Sequence, residues 1–267
     1  MIGIALMAAM AMAAPAQDSA AIAPTPASEW AITNVPSGCR GGRTFGTVGD
    51  VSMGLVDIPL TGTYILSVTM PDPITVSYGD PVTVTLEPSG QELHGTAIGF
   101  PPRRPTKVVA VIIDATPLSA AGISGIRIAT GGTVVARLSV GELSDLTAKL
   151  KACENSVLAR FGIDPASQAK VATPPQPLND NGWFNGYPAA ALRERAQGAV
   201  SGRFTVKKNG SAGDCVVVVS SGSAALDRGT CEMVEKNARF KPALSKDGRP
   251  VPAMQIFSTR WVLQIGR

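Results

Sequence analysis

Among 267 residues there is a single histidine, His94. A Ser-His-Asp triad or a histidine-rich metal centre would have to be built on it. It follows Gln91-Glu92-Leu93 near a turn, where a histidine reads as a surface residue. Ser119, Ser124 and Ser139 therefore have no evident base. No Gly-x-Gly-x-x-Gly leads from a strand into a helix, so nucleotide binding has no support. No Cys-x-x-Cys occurs either. The expectation is a protein that is not an enzyme and holds no cofactor and no metal. Outside residues 1–16, Asp, Arg, Gly or Pro interrupts every apolar run, and none reaches the roughly 20 residues of a spanning helix. Aromatics are only 5% and are not interleaved with basic residues, which argues against a nucleic-acid partner.

No Lys or Arg precedes Arg40. Residues 1–16 nevertheless form a short apolar run ending in small residues. Cleavage after Ala14-Pro15-Ala16 or after Ala11-Met12-Ala13 would suit signal peptidase. They are read as a signal peptide whose positive n-region is missing because the true start lies upstream or the sequence is truncated. An inner-membrane anchor extending upstream is the alternative. Export places the chain in the periplasm. Residues 17–29, rich in Ala, Pro and Ser, are expected to be disordered.

Four cysteines in an exported chain favour disulfides over free buried thiols or a metal site. Four allow three pairings. Cys215 opens a predicted strand and Cys231 lies in the helix behind it, so a strand-to-helix staple is natural there. Cys39 and Cys153 would then close the N-terminal region.

What the chain has in abundance is glycine (28) and proline (21), which favour strands and turns. In residues 30–164, β-type runs at 64–70, 74–76, 82–86, 108–113, 123–128 and 133–138 alternate with Pro- and Gly-rich breaks. This pattern predicts an antiparallel sheet, sandwich or partial barrel. Ser139 and Glu142 read as a capping box before a helix with Leu143, Leu146, Leu150, Cys153, Val157, Leu158 and Phe161 on one stripe. Gly162 and Asp164-Pro165 end it. Asp50 and Asp57 could pair in space, but strand and turn aspartates of this kind are usually solvated. Residues 165–185, with Pro165, Pro174, Pro175 and Pro177, read as a semi-extended linker.

The final third is the most structured to the eye. Tyr187-Pro188 precedes a short helix at 189–196. Val200, Phe204 and Val206 alternate with Ser201, Arg203 and Thr205 in a half-buried strand. Asn209-Gly210 signals a hairpin. The return strand, 215–220, is so apolar that coverage on both faces is expected. Ser223 caps a helix over 224–237, with Asp227 in its first turn. A last strand covers 254–263. Residues 187–267 carry 13 Lys and Arg against 6 Asp and Glu, while residues 1–186 carry 11 against 14. The basic end suits acidic peptides or anionic head groups.

The ordered pieces Tyr187-Pro188, Gly198-Ala199-Val200, Ser220-Ser221-Gly222, Ala238-Arg239-Phe240-Lys241-Pro242-Ala243 and Gly248-Arg249-Pro250-Val251 resemble the C-terminal domain of the TonB family of energy transducers, over roughly residues 183–265. The resemblance implies a small C-terminal domain, and together with the β-type runs and helix of residues 30–164 an α+β chain is expected. A mainly antiparallel N-terminal β domain closed by one helix would precede a small domain at 186–267, built from a three-stranded antiparallel sheet and two helices. It implies a periplasmic protein of nutrient transport. Such a protein binds the TonB box peptide of outer-membrane TonB-dependent receptors by adding it as a strand. The edge implied is the last strand, with Met254, Ile256, Ser258 and Arg260, aided by Trp183 and Asn185. Phe257 and Trp261 are expected in the core, and Arg239 in solvent. Coupling to the ExbB–ExbD motor and a homodimer through exposed edges belong to the same set of expectations. The short linker and the lack of a span favour an alternative: a soluble periplasmic binding or scaffold protein with a TonB-like domain and no energy coupling.

Overall fold

The computed structural model describes residues 25–46, 51–74, 76–77, 79–98, 106–114, 116–119, 121–178 and 183–263. The expected leader, most of the segment read as disordered, Asp50 and residues 179–182 of the linker lie outside them. The chain is α+β and mostly antiparallel. Among the described residues no helix is long and apolar enough to cross a membrane.

Among the described residues nine strands build the N-terminal region: β1 (Ala31–Val35), β2 (Gly38–Phe45), β3 (Val51–Ile58), β4 (Thr63–Ile74), β5 (Pro81–Glu87), β6 (Gln91–Thr96), β7 (Thr106–Asp114), β8 (Gly125–Thr130) and β9 (Thr133–Ser139). They form a five-stranded sheet in the order β1-β2-β3-β4-β7 and a four-stranded sheet in the order β6-β5-β8-β9. A bridge between Ala97 and Val111 ties the two together. His94 sits on β6 with an exposed side chain.

One helix, α1 (Leu143–Arg160), packs into this β structure. Leu143, Leu146, Leu150, Val157, Leu158 and Phe161 are all buried in the core that both sheets share. The capping box expected at its start does not form. Ser139 ends β9, and Glu142 occupies the N-cap without a side-chain cap. The Glu142 carboxylate instead accepts from Ser144 Oγ at 3.3 Å and from the Gly122 amide at 3.4 Å. The helix starts at Leu143, three residues later than a cap at Ser139 would start it.

β1, β2, β3 and β6 lie outside the runs that read as strands. In β2 the reason is the helix. A Cβ on Gly41 would lie 2.3 Å from Leu146 Cδ1, so α1 can approach only over glycine. The same contact carries the Cys39–Cys153 disulfide, 114 residues apart in sequence. Closing a loop of that length stabilises by about 4–5 kcal/mol in the chain-entropy account.

The proline-rich stretch after α1 is not a free tether. A 3-10 turn, Pro165–Gln168, is capped by Asp164, whose carboxylate accepts from the Ala166 amide at 2.9 Å. The Ala172 and Thr173 amides then donate to Leu244 O at 2.8 and 2.9 Å, and β10 (Gln176–Pro177) pairs with β13 (Phe240–Lys241). Proline fixes φ in the extended range, and the non-proline residues between keep amides free for edge pairing.

The C-terminal region adds α2 (Ala189–Arg193), β11 (Gly198–Val206), β12 (Ala212–Val219), α3 (Ala224–Asn237), β14 (Ala243–Leu244), β15 (Pro250–Val251) and β16 (Ala253–Trp261). Its sheet runs β12-β11-β16. Ser223 caps α3, its hydroxyl accepting from the Leu226 amide at 3.3 Å. Cys215–Cys231 staples β12 to α3. β12 is not covered on both faces. It is an edge strand, and Val216 and Val219 are 42% and 40% exposed.

Candidate functional site: the outer edge of β16

The sheet has two different faces. On one, Val200, Phe204 and Val206 of β11 and Phe257 and Trp261 of β16 are buried with Leu226 and Val234 of α3. Trp261 Nε1 donates to Thr230 Oγ1 at 2.9 Å inside this core. The segment before α2 closes it. Trp183 meets Phe204 edge-on at 5.7 Å and Phe240 at 5.1 Å, and Phe184 meets Trp261 at 5.8 Å. On the other face, Val218, Met254 and Ile256 pack against the N-terminal core.

The pieces that stand apart in sequence meet at glycines. A Cβ on Gly198 would lie 2.8 Å from Ser221 O, and one on Gly210 only 2.0 Å from Phe240 O. Gly210, with φ of 80°, accepts from the Phe240 amide at 2.9 Å. The strand start thus rests on the Ser-Ser-Gly turn, and the Asn-Gly turn rests on the Ala-Arg-Phe segment. Asp227 anchors the first of these. Burial pushes its carboxyl up, but bonds from Ser220 and from the Ser221 amide and hydroxyl outweigh burial and hold it below the usual range. Burial alone raises Tyr187, whose hydroxyl donates to Ala196 O.

β16 pairs with β11 over nine residues without a shift, from Trp261 opposite Gly198 to Ala253 opposite Val206. Among the described residues its other edge is bonded to no strand. The Met254 amide points that way, donating to Gln168 Oε1 at 3.0 Å. Residues of an antiparallel strand alternate between facing their partner and facing away. The backbone groups of Ile256, Ser258 and Arg260 therefore point off the sheet with those of Met254. The four do not offer equal access. The side chains of Met254 and Ile256 are half-buried against the N-terminal core, while those of Ser258 and Arg260 are exposed. Ser258 Oγ lies 2.9 Å from Ser201 Oγ across the strand pair.

The other two residues named from sequence lie elsewhere. Trp183 is part of the aromatic core, and its carbonyl accepts from Asn237 Nδ2 at 3.1 Å. Asn185 is exposed beside it. What the sequence did not show is Gln168, which occupies the outward amide at the start of the edge from 86 residues away.

The opposite edge, β12, is a poorer template. Its register with β11 shifts twice, and Asp214 within it has φ of 54°. Bulges of this kind twist an edge away from pairing. These elements define a small α+β module with one long, regular open strand edge. Residues 185–263 match the family model described as Gram-negative bacterial TonB protein C-terminal, so the module is a TonB C-terminal domain. No curated protein and no solved structure matches the chain.

Proposed function

We propose that the C-terminal domain takes up the TonB box of an outer-membrane TonB-dependent receptor as a fourth strand along β16, and that the chain serves nutrient transport across a Gram-negative envelope as a binding protein rather than an enzyme. The observation that carries this reading is the regular, outward-facing edge of β16 in a domain of this family. Main-chain hydrogen bonds supply the affinity in strand addition, at about 0.5–1.5 kcal/mol net each, and side chains supply selectivity. Exposed Arg260 and the basic surplus of residues 187–267 favour a peptide with acidic residues. Two disulfides suit the periplasm.

The test is Ser258→Pro. The Ser258 amide points away from β11, so proline is tolerated in the sheet yet removes a donor and blocks an added strand. Titration with a receptor TonB box peptide should show roughly tenfold weaker binding with little change in Tm. Unchanged affinity would remove β16 from the reading. A homodimer formed across the same edge would compete with the peptide and appear as lower peptide affinity at higher protein concentration.

A further inference from the structure

Between the end of β3, the middle of α1 and the start of β16 lies a cavity of about 640 Å³. Small-molecule sites have this order of size and favour junctions between domains. Its polar walls are Asp57, Tyr64, Lys151, Glu154 and Gln168. Leu60, Val171 and Met254 supply apolar surface.

The charges there do not balance. Glu154 is only 4% exposed, but it is fully engaged: Oε1 accepts from the Leu60 amide at 3.3 Å, and Oε2 is ion-paired with Lys151. Asp57 has no such partner. Its Oδ2 is sealed from solvent without a hydrogen bond, while its side chain remains half-buried on the cavity wall. The groups facing Asp57 are Glu154 and Lys151 from α1 and Tyr64 from β4. Cys39, opposite it on β2, is bridged and does not titrate. Burial, then the Glu154 charge, pushes Asp57 up to about 7 against the opposing pull of Lys151. Burial, then Asp57 and Glu154, raises Tyr64 to about 12, so it stays a neutral donor. Two carboxyl groups thus share one ammonium, in a chamber with room for a ligand and one apolar side.

We propose that this cavity binds a small organic cation, a protonated amine on an apolar body, with the ammonium at Asp57 and the body against Leu60, Val171 and Met254. The site adjoins the start of the strand edge at Met254 and Gln168 but does not depend on the receptor reading. A neutral ligand would leave Asp57 unmatched, and an anion would add a third negative group beside Glu154.

Calorimetric titration of the full chain with 2-phenylethylamine, and with 2-phenylethanol as its neutral counterpart, tests this. The amine should bind at least about tenfold more tightly than the alcohol at pH 8. Its affinity should fall about tenfold from pH 8 to pH 6, because Asp57 must give up its proton to receive the cation. Asp57→Asn should abolish both the preference and the slope. Lys151→Gln removes the competing ammonium and should tighten amine binding, a direction that a damaged fold does not produce. Equal binding of amine and alcohol, no amine binding at all, or amine binding untouched by Asp57→Asn overturns the proposal.

Discussion

The two halves of the molecule solve the same packing problem with different materials. The N-terminal core is filled mainly by Leu, Val and Ile, largely from strands β1–β9 and helix α1. It is held at one point by a disulfide that closes 114 residues. The C-terminal core is a cluster of rings from Trp183, Phe184, Phe204, Phe240, Phe257 and Trp261, and its disulfide spans 16 residues. Both halves pair mainly consecutive strands, with skips from β4 to β7 and from β5 to β8 in the first and from β11 to β16 in the second. The second also relies on glycines that let short motifs touch. Local order costs less loop-closure entropy, and it also leaves a trace in the sequence.

Removing the long bridge should sharpen that contrast most. Cys39→Ser with Cys153→Ser should cost about 4–5 kcal/mol, against about 3 for Cys215→Ser with Cys231→Ser. Denaturant midpoints of the two double variants measure the difference, and equal costs would mean that the N-terminal domain is not held chiefly at this point. Phe204→Ala should cost about 3–5 kcal/mol and lower the unfolding transition of the C-terminal domain first. Gly41→Val should cost roughly 1–3 kcal/mol by pushing α1 off β2, with no change in peptide binding.

The smallest stability effect concerns Asp57. Its carboxyl keeps its proton in the folded chain to about pH 7, whereas the unfolded chain loses it near its ordinary value of 3.8. Folding therefore loses stability as pH rises from about 4 to about 7, and the penalty is constant above that. Asp57→Asn should raise stability at pH 8 by on the order of 1–2 kcal/mol, an amount moderated by the half-exposed position, and should change nothing at pH 4. Thermal unfolding at both pH values checks this, and a gain of the same size at pH 4 would contradict it.

These halves also differ in what the sequence revealed. The C-terminal strands announced themselves through the alternation of Val200, Phe204 and Val206 and through Asn209-Gly210. The α1 stripe was legible for the same reason. β2 was not, because Gly41 answers to Leu146 rather than to any strand propensity. β12 misled: its run of valines looks like a central strand, yet Val216 and Val219 face solvent on an edge. The candidate edge was legible as a strand from its own residues and as an edge only through the family resemblance, since sheet order is a property of the fold. Gln168 on Met254, and Asp57 facing Glu154, join residues 86 and 97 apart, and nothing in the sequence near either signals the meeting.

The most direct test of the central claim is amide hydrogen exchange of the full chain with and without a receptor TonB box peptide. The account predicts new protection at Ser258 and Arg260, whose amides face away from β11, and little change along β12. Protection gathered on β12, or none on β16 with the peptide demonstrably bound, would contradict it.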